Sequence, residues 1–155
     1  MADQPEFDVV AAHRHFSTQC YNDAFDLSDK RDRDSDDDAR MLHLSMASLW
    51  HWSQRADCTP TNLSIGYWQV ARIYALLGQV DNARRYGLSC AEVSRTEGVE
   101  PFYLGFAYEA LARAEAVAGD SAKRDGYLRE AYAITERITN EEYKQMLVND
   151  LRTIV

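Results

Sequence analysis

The chain has 155 residues, enough for one domain that buries roughly 70% of its unfolded surface. Its 25 acidic and 17 basic side chains leave a formal net charge of −8. Such a surface repels a phosphate backbone on average, and the arginines are scattered among carboxylates, so no nucleic-acid partner is expected. No run approaches the ~20 apolar residues of a membrane span.

The acidic opening Met-Ala-Asp-Gln-Pro-Glu-Phe-Asp is unlike a secretory leader. The first predicted helix covers 6–27, with Val9, His13, Phe16, Cys20, Ala24 and Leu27 as its stripe. An acidic loop follows, and Ser35 is the expected N-cap of the second helix, with Asp36, Asp37 and Asp38 complementing the helix dipole. Leu42, Met46, Leu49, Ser53 and Ala56 are its expected buried stripe, widened by His43, Ala47 and Trp50. Thr59-Pro60-Thr61 starts the third helix, whose stripe is Leu63, Tyr67, Val70, Tyr74 and Leu77, and Gly78 ends it.

The fourth helix runs from Val80 through Ala83, Gly87, Cys90 and Ser94, small residues that permit close helix approach. Gly98 and Pro101 separate it from the fifth, which buries Tyr108, Leu111, Ala112 and Glu115 and stops at Gly119. Tyr127, Leu128, Ala131, Ile134 and Ile138 mark the sixth. Thr139 and Glu142 have the spacing of a capping box for the seventh, which presents Tyr143, Leu147 and Leu151 to one side. Seven helices with short turns and no strand pattern predict an all-α fold of stacked antiparallel hairpins. One domain is expected over 1–155: a divergent hairpin at 1–57, two regular hairpins at 59–138 and a capping helix at 139–155.

The segment 66–83 is echoed at 107–124: Tyr108, Leu111, Ala112 and Gly119 fall at the offsets of Tyr67, Val70, Ala71 and Gly78. Helical hairpins that repeat must stack to bury their apolar faces. In 64–95, Tyr67, Val70, Ala71, Tyr74, Gly78, Ala83, Tyr86 and Cys90 resemble the tetratricopeptide repeat. In 105–136, Tyr108, Leu111, Ala112, Gly119, Tyr127, Leu128 and Ala131 do so more weakly, with Glu115 and Arg124 replacing the usual Tyr and Ala. The turn glycines are 41 residues apart against the family's 34.

The resemblance implies a short right-handed α-solenoid and a non-enzymatic scaffold that binds a peptide or protein in a groove between the first, third and fifth helices. Its lining would be Ile65, Trp68, Gln69 and Arg72 with Phe106, Glu109 and Arg113. Trp and Arg dominate binding hot spots, and Arg72 and Arg113, at matching places in successive units, could face one ligand carboxylate. Alternatively, Trp68 packs against the first or second helix while Arg72 pairs with Glu109 across the groove. The Lys and Asn set with which some members grip a C-terminal carboxylate is missing at the matching positions.

A second reading places a small-molecule sensor or enzyme pocket at His43, Trp50, His51 and Trp68, between the second and third helices. A third is self-association as a homodimer through aromatic-rich outer helices. No catalytic residues, cofactor or metal site are read from the sequence. His43 and His51 stand about 12 Å apart along a helix, too far for one ion, and His13 and His15 point to different faces. Any metal site would need histidines converging from two helices. Asp32, Asp34 and Asp36 open like a calcium loop, but Asp37 replaces its glycine and His43 its terminal Glu. His13 and Cys20 lie about 10 Å apart, too far for a thiolate–imidazole pair. Cys20, Cys58 and Cys90, odd in number and widely spaced, read as thiols of a reducing compartment, so a cytoplasmic location is expected.

Overall fold

The computed structural model describes residues 6–155, so most of the acidic opening lies outside the described residues. Among the described residues there are seven helices: α1 (Val9–Asp29), α2 (Ser35–Ser53), α3 (Pro60–Leu76), α4 (Val80–Ser94), α5 (Pro101–Ala118), α6 (Ser121–Thr135) and α7 (Glu141–Leu151). No strand occurs among them. Consecutive pairs α1–α2, α3–α4 and α5–α6 pack as hairpins, so the fold is the expected all-α arrangement of helical hairpins. The chain divides into two compact units, one ending at Thr59 and one spanning Pro60–Val155.

In the first unit, Asp8 caps α1 by accepting from the Ala11 N–H at 3.0 Å. The cap of α2 is Asp34, not Ser35. Its carboxylate accepts from the N–H groups of both Asp36 and Asp37, while Asp37 reaches back to the Asp34 N–H. Two donors are satisfied by one carboxylate, and Ser35 becomes the first helical residue.

The buried stripe of α2 also differs from the expected one. Met41, Ser45 and Ser48 are buried, Leu42, Met46 and Leu49 are half-buried, and Ser53 and Ala56 are exposed. Helix crossing explains this: Ser48 Oγ donates to the Ser17 carbonyl across the hairpin at 2.7 Å, and Ser17 and Ser45 donate within their own helices. A hydroxyl bonded to backbone acts as a small core residue and lets the helices approach. On α1 the buried residues are Ser17, Cys20 and Ala24, whereas Val9 and Phe16 of the expected stripe are exposed.

In the second unit, α3 packs on α4 and α5, and α4 also packs on α5. Being covered on two sides, α3 buries Ser64, Gly66, Gln69, Val70, Ala71, Ile73 and Ala75, and leaves Leu63, Tyr67 and Tyr74 half-buried, as is Leu77 just beyond its end. Ala71 and Ala83, expected at the crossing of α3 with α4, are fully buried. The chain reverses after α3 and α5 at Gly78 and Gly119, with φ of 72° and 75°, a left-handed conformation that glycine adopts without a Cβ clash.

The two hairpins repeat in three dimensions. Pro60 and Pro101, 41 residues apart, both begin a helix. The Tyr67–Tyr86 rings lie 6.3 Å apart in one hairpin, and the corresponding Tyr108–Tyr127 rings lie 6.2 Å apart in the next. One apolar cluster, Cys90, Ala91, Ala107 and Leu111, joins α4 to α5. A second, Ala112, Ala131, Leu147, Leu151 and Ile154, fixes α7 and its tail onto α5 and α6. Each fully buried leucine there contributes about 1.5–3 kcal/mol. The cap of α7 is Asn140, which accepts from the Tyr143 N–H at 3.0 Å. This shifts the start by one residue from the expected Thr139, and Tyr143 at the third position has no carboxylate to close a capping box.

Candidate functional site

Four of the groove residues expected from the sequence meet in the second unit. Glu109 on α5 is fully buried, and a carboxylate so placed persists only when its oxygens are taken by donors. Oε2 accepts from the indole N–H of Trp68 on α3 at 2.9 Å. Oε1 accepts from Arg72 Nη1 at 3.1 Å and Arg113 Nε at 2.7 Å, with Arg113 Nη2 at 2.6 Å. The Arg72 guanidinium also lies over the Trp68 ring, 5.3 Å from its centroid. Both arginines thus face one carboxylate, but it is the protein's own. The pairing of Arg72 with Glu109 is the alternative that the sequence left open.

A third helix completes the cluster. Asp150 at the end of α7 accepts from Arg72 Nη1 at 3.3 Å. Arg113 Nη2 donates to the Asp150 carbonyl at 3.3 Å and to Thr153 Oγ1 at 2.9 Å, a cation at the negative end of α7. Two guanidinium and two carboxylate charges therefore balance across α3, α5 and α7. Both contacts of Arg72 use Nη1, so its Nε and Nη2 have no hydrogen-bond partner among the described residues. Its side chain keeps 32% of its surface exposed.

Beside the charges runs a row of rings. Trp68 meets Phe106 edge-on at 5.6 Å, Phe106 meets Phe102 at 4.9 Å, and Phe102 meets Tyr143 of α7 at 4.7 Å. Ring contacts of this kind hold side chains in fixed positions. Tyr143 is 37% exposed and ends the row at the surface.

The other expected residues are placed as follows. Gln69 is buried and Glu109 wholly so; neither side chain offers area to a partner. Ile65 is half-buried on α3. Of the second candidate set, His43 and Trp50 are exposed and His51 is half-buried, all on α2 in the first unit, while Trp68 belongs to the second. His51 converges with His13 from α1, Nδ1 to Nδ1, at 2.8 Å. Among the described residues no three His, Cys, Asp or Glu side chains gather as a metal-binding group.

Phe102, Tyr143, Asp150 and Thr153 are not among the groove residues expected from the sequence. A signal for two of them exists. Advancing the 41-residue period once more carries Glu109 onto Asp150 and Phe102 onto Tyr143. In both pairs the related residues serve one cluster: Glu109 and Asp150 share Arg72, and Phe102 touches Tyr143.

Between α4 and α5, Arg84 grips the buried Glu115 in a two-pronged pair, Nε to Oε1 at 2.8 Å and Nη2 to Oε2 at 2.7 Å. Glu115, which departs from the repeat pattern, thereby ties one hairpin to the next. Cys90 is enclosed against Ser64, and burial pushes its thiol up to about 11, which keeps it protonated.

No family model matches this chain, and no curated protein or solved structure matches it. No helix among the described residues is long and apolar enough to cross a membrane.

Proposed function

We propose that the Pro60–Val155 unit is a non-enzymatic, tetratricopeptide-like binding module that holds a peptide or protein segment along the α3–α5–α7 face. One observation carries the reading: a row of rings, Trp68, Phe106, Phe102 and Tyr143, runs beside a row of charges, Arg72, Glu109, Arg113 and Asp150, across the three alternate helices α3, α5 and α7. Aromatic and arginine side chains supply most of the energy at binding surfaces, through large contact area and directional donors. Here they are held in place before any partner arrives, which lowers the ordering cost of association.

Within this reading the residues have distinct roles. Glu109, fully buried, positions Trp68, Arg72 and Arg113 without meeting the partner. The Nε and Nη2 edge of Arg72 is the place for an acceptor on the partner, such as a carboxylate taken by two parallel hydrogen bonds. Phe102 and Tyr143 supply apolar contact.

The reading is tested by retention of proteins from a lysate of the source organism on immobilised full chain. Trp68→Ala with Arg72→Ala is a poor variant, because it strips donors from a buried carboxylate and so threatens the fold. Phe102→Leu with Tyr143→Ala leaves the Glu109 cluster intact. A protein held by the wild type and lost by that variant supports the face. Equal retention by both removes it.

A further inference from the structure

We propose that His13 and His51 form a proton-sharing latch between α1 and α2, closed while the pair holds no more than one extra proton and opened when both imidazoles are cationic. The geometry is head-on. The Nδ1 atoms are 2.8 Å apart while the ring centroids are 5.0 Å apart with planes inclined by 56°, so the nitrogens point at each other rather than stack. A contact of that length has one hydrogen between its two nitrogens. One ring donates through Nδ1–H, and the other accepts through a bare Nδ1. A first added proton leaves the bond in place and makes it charge-assisted. A second puts a hydrogen on both facing nitrogens, replacing the bond by a clash of two N–H groups and two positive charges.

The surroundings do not relieve that repulsion. Trp50 packs edge-on against both imidazoles, 5.3 Å from His13 and 4.8 Å from His51, and Phe16 lies 5.5 Å from His51. The charged groups flanking the pair in the sequence have other engagements. Asp8 caps the Ala11 N–H, and His15 packs on Phe16 at 5.0 Å. Arg55 is bonded to Asp57 through Nε and Nη2 and to Ser17 through Nη1, and Arg14 also acts on Asp57. No carboxylate is hydrogen-bonded to either ring of the pair among the described residues. Burial, reinforced by the charge of His13, holds the His51 imidazolium below the ordinary histidine range. A histidine lowered on folding contributes stability at and above neutrality that is lost as pH falls, because the unfolded chain takes up the proton first.

The test is a titration of the full chain from about pH 8 to about pH 5, reading imidazole nitrogen shifts and amide hydrogen exchange together. The latch predicts that the pair takes up its two protons in steps separated by more than about one pH unit. Exchange protection of the α1 turns around His13 should fall about tenfold or more at the second step, as a two-state opening does. His15 and His43, neither bonded to another imidazole, are references in the same spectra. In His51→Gln only one ring of the pair can become cationic, so protection around His13 should stay level through the same range. A single shared step with level protection in the wild type overturns the latch. So does an acid loss of protection that persists in folded His51→Gln.

Discussion

Arg72 and Arg113 stand 41 residues apart in the chain and donate to the same atom, Glu109 Oε1. Equivalent positions of two successive helical units thus converge on a carboxylate supplied from within. The convergence makes Glu109 an organiser of the face rather than a contact upon it.

Replacing Glu109 by alanine should therefore be severe. Two guanidinium groups and an indole N–H lose their shared acceptor, and breaking a buried charged network costs about 3–5 kcal/mol. Asp150→Asn removes a carboxylate whose side chain is 33% exposed, and the change should stay below about 1 kcal/mol. Denaturant unfolding of the two variants beside the wild type reads the difference. Equal losses would contradict the role assigned to Glu109.

Trp68→Phe removes the indole N–H and weakens the contact of Arg72 with the ring. The ring contact with Phe106 is retained in kind, while Glu109 Oε2 loses its indole donor. An unsatisfied buried acceptor costs about 1–3 kcal/mol. A midpoint within error of wild type would show that water or another donor replaces the indole.

The Arg84–Glu115 pair predicts an asymmetry between single and double substitutions. Arg84→Met alone strands a carboxylate that is 3% exposed, whereas Arg84→Met with Glu115→Leu leaves no charge buried. The double variant should be more stable than the single one by about 1 kcal/mol or more. A thermal scan of both, with Glu115→Leu alone to close the cycle, gives the coupling directly.

Thiol labelling separates the cysteines. Cys90 is fully buried with its thiol held protonated, so at pH 8 it should react with a disulfide reagent only as the unit unfolds. Cys58 is half-buried, and although burial raises its thiol too, it should react first. Mass spectrometry of the labelled peptides reports the order.

What could be read in the sequence was the local chemistry. Gly78 and Gly119 end helices because left-handed backbone suits glycine, and Ala71 and Ala83 are small because two helices cross there. The stripe of α2 differs from the expected one because Ser45 and Ser48, polar by type, satisfy their hydroxyls on backbone and pack inside. Asp34 outcompeted Ser35 as a cap by reaching two N–H groups with one carboxylate oxygen. Trp68, Arg72, Glu109 and Arg113 were legible as one set by the repeat, but not whether they would face outward or one another. Asp150 and the place of Tyr143 at the site are not legible because the one-sided Tyr143–Leu147–Leu151 pattern of α7 hides its place in the 41-residue period. The meeting of His13 with His51 depends on the register of two crossing helices, which no local pattern encodes.

The most direct test of the binding face is site-specific photocrosslinking with a photoreactive phenylalanine derivative at Tyr143 on α7 or, as a control, at Leu88 on α4, which is 55% exposed. The account predicts that a protein retained by the full chain is captured from position 143 and not from position 88. Capture from position 88 without capture from 143 would contradict it.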